Sequence, residues 1–412
     1  MQCTFLGGAG EVGRLAMTME VAGNRLLFDY GFTASKPPQF PKRAPPLDAL
    51  FITHCHLDHS GLAPEATRRH MAPVYCTELT AVISELLWYD SIKIADMEGN
   101  SFPFASEDVR TALRAIEPID FQDKVDLQGV EVRSHSAGHI PGAAMYEVVS
   151  DDISLFTGDM NNRASRLVNG ARPLPCRNLF IEGTYAGREH PDRHDLELEF
   201  LDRIDDVIYR GGQVILPGFA VGRTQEIVLM LEDCGHEVWL DGMGKRVSQT
   251  YLDHGHFLRS RGSLRAADGQ VRYVKSKGQR EEAANGADII VTTSGMLEGG
   301  PVGTYLRALG RNPKNAVLLT GYQVEGTNGR MLMDEGKVEF DGETIKVEAE
   351  MEYFDFSSHA GHSDLVSFIK RCDPENVVVM HSGHPELLAE DPELDGYNFI
   401  LPVTGESFSL PG

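Results

Sequence analysis

Short apolar runs that end in loops bearing Gly, His or Asp recur along the chain. Examples are LDALFIT before His54, DISLFTGD ending at Asp159, and GGQVILPGFAVGR before the helical pattern TQEIVLMLED. GADIIVTTSGM, NAVLLTGYQ and NVVVMHSG repeat the theme. Apolar runs of this length bounded by turn residues predict buried strands, and strands whose loops gather at their ends are how α/β folds build sites. Residues 1–50 read differently. Leu15 to Asp29 roughly alternates, which predicts antiparallel strands with one wet face. The Pro-rich SKPPQFPKRAPP, 35–46, predicts a loop. The expectation is a mixed α/β protein with antiparallel portions and no internal repeat.

Gly8, Gly10 and Gly13 make a literal GxGxxG after a short strand, with Asp29 downstream. A dinucleotide site of this type needs a helix to open at the glycines. RLAMTMEVAGNRLLFD predicts two strands and a turn instead, so the glycines read as a tight turn.

The stretch THCHLDHSGLAP places His54, His56, Asp58 and His59 within six positions at the end of a buried strand. Four such groups are costly to desolvate unless something coordinates them. On an extended chain His54 and His56 share one side, and a loop after them would turn Asp58 and His59 toward a second point. Zn²⁺ takes about four imidazole and carboxylate ligands, so two ions need more donors than this loop holds. His139 in SAGHIPGAA, Asp159 in LFTGDM and His381 in VVVMHSG stand in similar Gly-containing loops. Each alone also reads as a satisfied, partly buried polar residue.

Composition narrows the setting. The chain has 412 residues, enough for two domains or one large one. It has no apolar run near the length of a membrane span, and its N-terminus lacks the marks of a secretory signal, so the cytoplasm is the expected compartment. The six cysteines are scattered without a CxxC pair, which suits reduced thiols, and Cys55 reads as a bystander in the histidine stretch. A formal net charge of −23 argues by itself against binding a polyanion. The cations, however, divide as 11 Lys and 27 Arg, a surface that fits strong screening at high salt, and metal ions with a few arginines would set the field at a site.

HCHLDHSG resembles the signature of the metallo-β-lactamase fold, and FDYG at Asp29, AGHIPGA at His139 and FTGD at Asp159 resemble its other motifs in the same order. Within that superfamily the remaining motifs resemble the β-CASP nucleases. This group includes the endonuclease subunit of the eukaryotic pre-mRNA cleavage and polyadenylation machinery, its archaeal relatives and the RNase J group. The matching stretches are IEGTYAGREHP, LPGFAVGRTQE, TTSGMLEGGP, GYQVEGTNGR, FSSHAGHSD and VMHSG. In two places the match departs from the family: Gly183 and Ala186 stand where relatives often have Ser and Gly, and HSGH replaces the usual His-Gly-Glu after the last metal histidine.

The resemblance implies an αββα metallo-β-lactamase sandwich from residues 1–185 and 350–412, with an inserted α/β β-CASP domain at 186–349. It implies two Zn²⁺ per chain. His54, His56 and His139 would hold one, Asp58, His59 and His381 the other, and Asp159 would bridge them. Asp29 and His190 would stand behind the ligands. His359 matches the family's general-acid histidine and Glu182 the acidic residue that orients it; with Asp58 they make up the implied catalytic set. Arg223, Ser294, Gly295, Gly326, Thr327 and Arg330 would grip phosphates. His362 and His384 stay open. His70, His135, His194, His236, His254 and His256 are assigned to packing or solvent. The implied activity is RNA phosphodiester hydrolysis, as an endonuclease of RNA processing or decay. RNA is the expected partner, together with a second copy or subunits of a processing complex, and no membrane. The alternatives are a 5′-to-3′ exonuclease of the RNase J type, a catalytically silent RNA-binding subunit, and a small-molecule hydrolase such as a thioesterase. The RNase J group usually carries an extra C-terminal domain with no counterpart here, which favours the endonuclease.

Overall fold

The computed structural model describes residues 1–410. The chain divides into two compact units. Met1–Ala164, Val168–Glu189 and Ser358–Gly412 form the first; Ser165–Leu167 and His190–Ser357 form the second.

The first unit contains two seven-stranded sheets. One runs in the order Ser407–Ser409, Gln2–Gly7, Ala16–Val21, Asn24–Phe28, Ala49–Phe51, Val74–Thr77, Ile116–Ile119. The other runs Asn398–Ile400, Asn376–Met380, Asn178–Glu182, Ile153–Phe156, Ala144–Val149, Val130–Ser136, Lys124–Leu127. The glycines at 8, 10 and 13 join two antiparallel strands, with Gln2 opposite Glu20 and Phe5 opposite Met17, and no helix opens there. Val21 and Asn24 close the next hairpin, as the alternation predicts.

Residues from both sheets share one buried core. Phe28, Phe51, Tyr146 and Phe156 lie at its centre, and the Phe28 ring stacks on Phe156 at 5.0 Å and on Phe51 at 5.4 Å. Each such side chain contributes about 1.5–3 kcal/mol by leaving water. Because side chains alternate along a strand, the other face of the first sheet presents Leu27, Leu50, Ile52 and Val74. These pack with Ala63, Ala66, Trp88, Val109 and Ala112 of the helices Ala63–His70, Glu78–Glu98 and Ser106–Ala115. The longest helix starts where the Thr77 hydroxyl accepts the Thr80 N–H and stops at Gly99 in a left-handed conformation. On Asn376–Met380, Val378 and Met380 join the inter-sheet core while Val377 and Val379 are equally buried on the opposite face, so this strand is covered on both sides.

The second unit is built on a parallel sheet in the order Arg272–Tyr273, Val238–Asp241, Ile289–Thr292, Val214–Pro217, Ala316–Leu319, Glu350–Tyr353. Its central strands, VILP, IIVT and AVLL, are buried at every position, which explains their continuous apolar runs. No helix among the described residues is long and apolar enough to cross a membrane.

Candidate metal centre

The chain entering the histidine cluster is fixed from several directions. The buried Tyr146 hydroxyl donates to the Ile52 carbonyl at 2.8 Å. The Ala144 N–H donates to the Thr53 carbonyl at 2.8 Å. Asp29, fully buried, accepts the Thr53 N–H at 2.7 Å and its hydroxyl at 2.8 Å. His54 therefore leaves a strand end whose polar groups are all engaged. Where the sequence predicts a loop at Asp58 and His59, the chain forms a short helix, Leu57–Ser60. The His56 carbonyl accepts both the His59 and the Ser60 N–H, and the Ser60 hydroxyl donates to the Cys55 carbonyl at 2.9 Å. With no Gly or Pro in LDHS, a single helical turn is the cheapest way to satisfy those groups.

Two donor sets gather in this unit. One comprises His54, His56, His139 and Asp159; the other comprises Asp58, His59 and His381. His54 Nε2 lies 2.9 Å from His56 Nδ1, and His139 Nε2 lies 3.4 Å from the same atom. In the second set His381 Nε2 is 3.4 Å and His59 Nε2 3.9 Å from Asp58 Oδ2. Asp159 stands in the middle. Its Oδ2 is 3.2 Å from His59, 3.6 Å from His54 and 3.8 Å from His139, and its Oδ1 is 3.2 Å from His381. Groups behind the rings fix which nitrogen faces inward. His139 Nδ1 donates to the Ser358 carbonyl at 3.0 Å and His59 Nδ1 to Asp29 at 2.8 Å, so each presents Nε2 to the cluster.

The charge states suit cation binding. Burial, reinforced by neighbouring imidazoles, holds the pKa of His54 and His139 well below the ordinary value, leaving neutral rings with a lone pair to give. Burial pushes the Asp159 carboxyl up, but the facing histidines outweigh it and keep it ionised. Burial also opposes charge on His59, yet Asp159, Asp58 and Asp29 raise its pKa well above normal. Among the described residues, buried His59 Nε2 and Asp159 Oδ1 have no hydrogen-bond partner. Converging imidazole nitrogens around an unsatisfied buried carboxylate fit divalent cations, which remove both mismatches.

Beside the cluster, His359 Nδ1 donates to Glu182 at 2.9 and 3.0 Å, and its Nε2 faces Asp159 at 3.9 Å. Glu182 is completely buried at the end of Asn178–Glu182. Its carboxylate is pinned by the Met160 N–H at 2.7 Å and the Thr184 N–H at 3.3 Å. Burial disfavours the His359 imidazolium, but the Glu182 and Asp159 charges prevail and raise its pKa to about 9.

The remaining predicted residues lie elsewhere. His190 belongs to the second unit and pairs with Asp355 at 3.0 Å. In the same unit Arg223 is buried, its guanidinium donating to the Thr320 carbonyl. The Ser294 hydroxyl accepts the Glu298 N–H at 2.9 Å, beside Gly295, and Thr327, after Gly326, caps the helix Asn328–Glu335. Arg330 is half-exposed and pairs with Asp334 at 2.7 Å. His362 accepts the Gly187 N–H and pairs with Asp391, whereas His384 is exposed beside Glu386. Sequence reasoning did not single out Thr184, whose hydroxyl donates to the His381 carbonyl at 3.3 Å and lies 3.2 Å from its Nδ1.

The two departures from the family pattern compensate each other. A Cβ at Gly183 would lie 2.9 Å from both side-chain atoms of Ser382. Ser382, standing where relatives carry Gly, thus fills the space that Ser at 183 would need. Gly183→Ser is expected to destabilise the protein by about 1–3 kcal/mol through overpacking, and Ser382→Gly in the same chain to restore it. Thermal denaturation of the single and double variants checks this; additive losses would dissolve the link.

Comparison with known proteins agrees with this arrangement. Residues 10–218 match the metallo-beta-lactamase superfamily, 224–332 the Beta-Casp domain, and 344–392 a Zn-dependent metallo-hydrolase RNA specificity domain. The Probable RNase MJ4 of Methanocaldococcus jannaschii is 36% identical, with 100% of each chain covered. RNase aCSPSF2 of Saccharolobus solfataricus is 33% identical over 98% of this chain and 85% of its own. The transcription termination factor FttA of M. jannaschii is 31% identical over 94% of this chain and 68% of its own. A crystal structure of a protein of unknown function from Enterococcus faecalis shares the fold, with a TM-score of 0.65, 15% identity and 99% of both chains covered. The chain belongs to the β-CASP branch of the metallo-β-lactamase superfamily.

Proposed function

We propose that this protein hydrolyses RNA phosphodiester bonds as a two-zinc endonuclease. The carrying observation is the carboxylate of Asp159, within 3.8 Å of two histidines of one donor set and 3.2 Å of two histidines of the other. His54, His56 and His139 would hold one cation, Asp58, His59 and His381 the second, and Asp159 both. A set of imidazoles and carboxylates without thiolate suits Zn²⁺. Such a pair of cations, when bound, supplies ionised water near neutral pH and offsets charge on the phosphoryl oxygens.

The chain's own groups do the rest. Glu182 fixes the His359 tautomer and keeps a proton on the ring; Nε2 delivers it to the departing ribose oxygen. Asp29 and the Ser358 carbonyl hold the ligand rings in register. Ser294, Gly295, Gly326, Thr327 and the half-exposed Arg330 supply phosphate contacts, while Arg223 braces the loop at Thr320. The names of two relatives, both ribonucleases, support RNA as substrate. The intact donor set favours turnover over silent RNA binding.

The test uses RNA labelled at its 5′ end and internally. Internal fragments that disappear with chelator and return with Zn²⁺ are expected. Release of single nucleotides from the 5′ end would replace the endonuclease with an exonuclease, and chelator-resistant cleavage would remove the metal from the reaction.

A further inference from the structure

We propose that the glycine-rich turn Gly8–Gly13 is a positioning element for the Asp58–His59–His381 site, setting its cation affinity separately from that of the His54–His56–His139 site. This role presupposes the two-cation reading above. The backbone of the turn reaches His381 twice. The Gly8 carbonyl accepts the His381 N–H at 2.7 Å, and the Gly13 N–H donates to His381 Nε2 at 2.8 Å. Just beyond, the Leu15 N–H donates to the Asp58 carbonyl at 2.8 Å. All three bonds go to residues of one donor set.

His381 needs such support. It sits at φ 49°, in the left-handed region that a residue other than glycine occupies only where its surroundings enforce it. Gly8 holds its N–H from one side and Thr184 its carbonyl from the other. The turn is braced in its own right. Arg14 Nε and Nη2 meet the two Glu11 oxygens at 2.8 and 2.9 Å, a fork-on-fork pair, and Nη1 donates to the Phe40 carbonyl at 3.0 Å. At Gly13 φ is +99°, and a Cβ would fall 2.5 Å from Thr33 Oγ1. Only glycine brings that N–H to the ring without displacing Thr33. The other donor set is anchored by different groups, the Thr53 hydroxyl at His54 and the Ser358 carbonyl at His139. The GxGxxG spacing thus serves a strand-to-strand turn aimed at one ligand. Groups that orient a ligand from behind typically carry 10–100-fold in metal affinity.

The test measures Zn²⁺ affinity against a chromophoric chelator in two backgrounds. His56→Ala leaves the Asp58–His59–His381 site as the measured one, and Asp58→Ala leaves the other. Adding Gly13→Ala is expected to weaken Zn²⁺ by about 10–100-fold in the first background and to leave the second unchanged. Glu11→Gln, at a partly exposed side chain that loosens the brace without touching the core, is expected to act in the same direction by less, and decides the matter if Gly13→Ala fails to fold. Unchanged affinity in the His56→Ala background overturns the proposal. So does an equal loss in both backgrounds, which marks a general fold defect visible in thermal melts of the zinc-free proteins. A wild-type chain that binds only one Zn²⁺ overturns the two-cation reading itself, and does so before the turn is altered.

Discussion

Asp58→Ala protein is expected to bind RNA with near-wild-type affinity and to cut none of it. The side chain lies 3.4 Å from His381 Nε2 and 3.9 Å from His59 Nε2, and in the proposed centre it is the only carboxylate belonging to one cation alone. Its loss leaves two imidazoles and a shared oxygen, too few for a stable site. His59→Ala should silence cleavage equally, but it also strips Asp29 of its partner at 2.8 Å. Removing one member of a fully buried pair costs about 3–5 kcal/mol, so that variant confounds chemistry with folding. Asp58 keeps about a third of its side-chain surface exposed, against 3% for Asp159, which makes it the cleaner probe. Phosphate contacts proposed for the second unit stay in place. Single-turnover cleavage and filter binding on the same preparation separate the two effects; undiminished turnover would sink the ligand assignment.

His359→Ala should slow cleavage by about 10²–10⁴-fold, the range for loss of a general acid, with bound metal unchanged by elemental analysis. A drop in metal would instead place His359 among the ligands. The pH profile offers a second check. Glu182 and Asp159 raise the ring's pKa to about 9, so the protonated form persists through neutral pH and is lost as pH rises past that value. Cations would offset Asp159, leaving Glu182 as the chief support. Glu182→Gln removes that charge, so the alkaline fall in rate should move to lower pH, which a merely structural role would not produce.

Much of this was legible before any coordinates. Strands ending at Thr292, Leu319 and Met380 follow from apolar runs that stop at Gly- or His-bearing loops, since a strand buried on both faces has no polar position to spare. The antiparallel start at residues 2–28 follows from alternation and from the absence of helical spacing after the glycines. The ligand types were visible as a local concentration of donors. What escaped depends on groups distant in sequence. The helical turn at Leu57–Ser60 is too short for periodicity to reveal. Nothing near Glu182 announces that it is buried against Met160 and His359. Arg223 reads as a surface cation until the Thr320 carbonyl, 97 residues on, is seen to receive it. Gly183 and Ser382 look like two losses in a motif; only their shared space makes them one exchange.

His54 and His56 are synthesised early, yet the dyad partner His359 and the ligand His381 belong to the last segment of the chain. Until that segment has left the ribosome, no more than part of the constellation exists. A nascent polypeptide is therefore unable to attack the message still being read, and cutting power arrives only with near-complete translation.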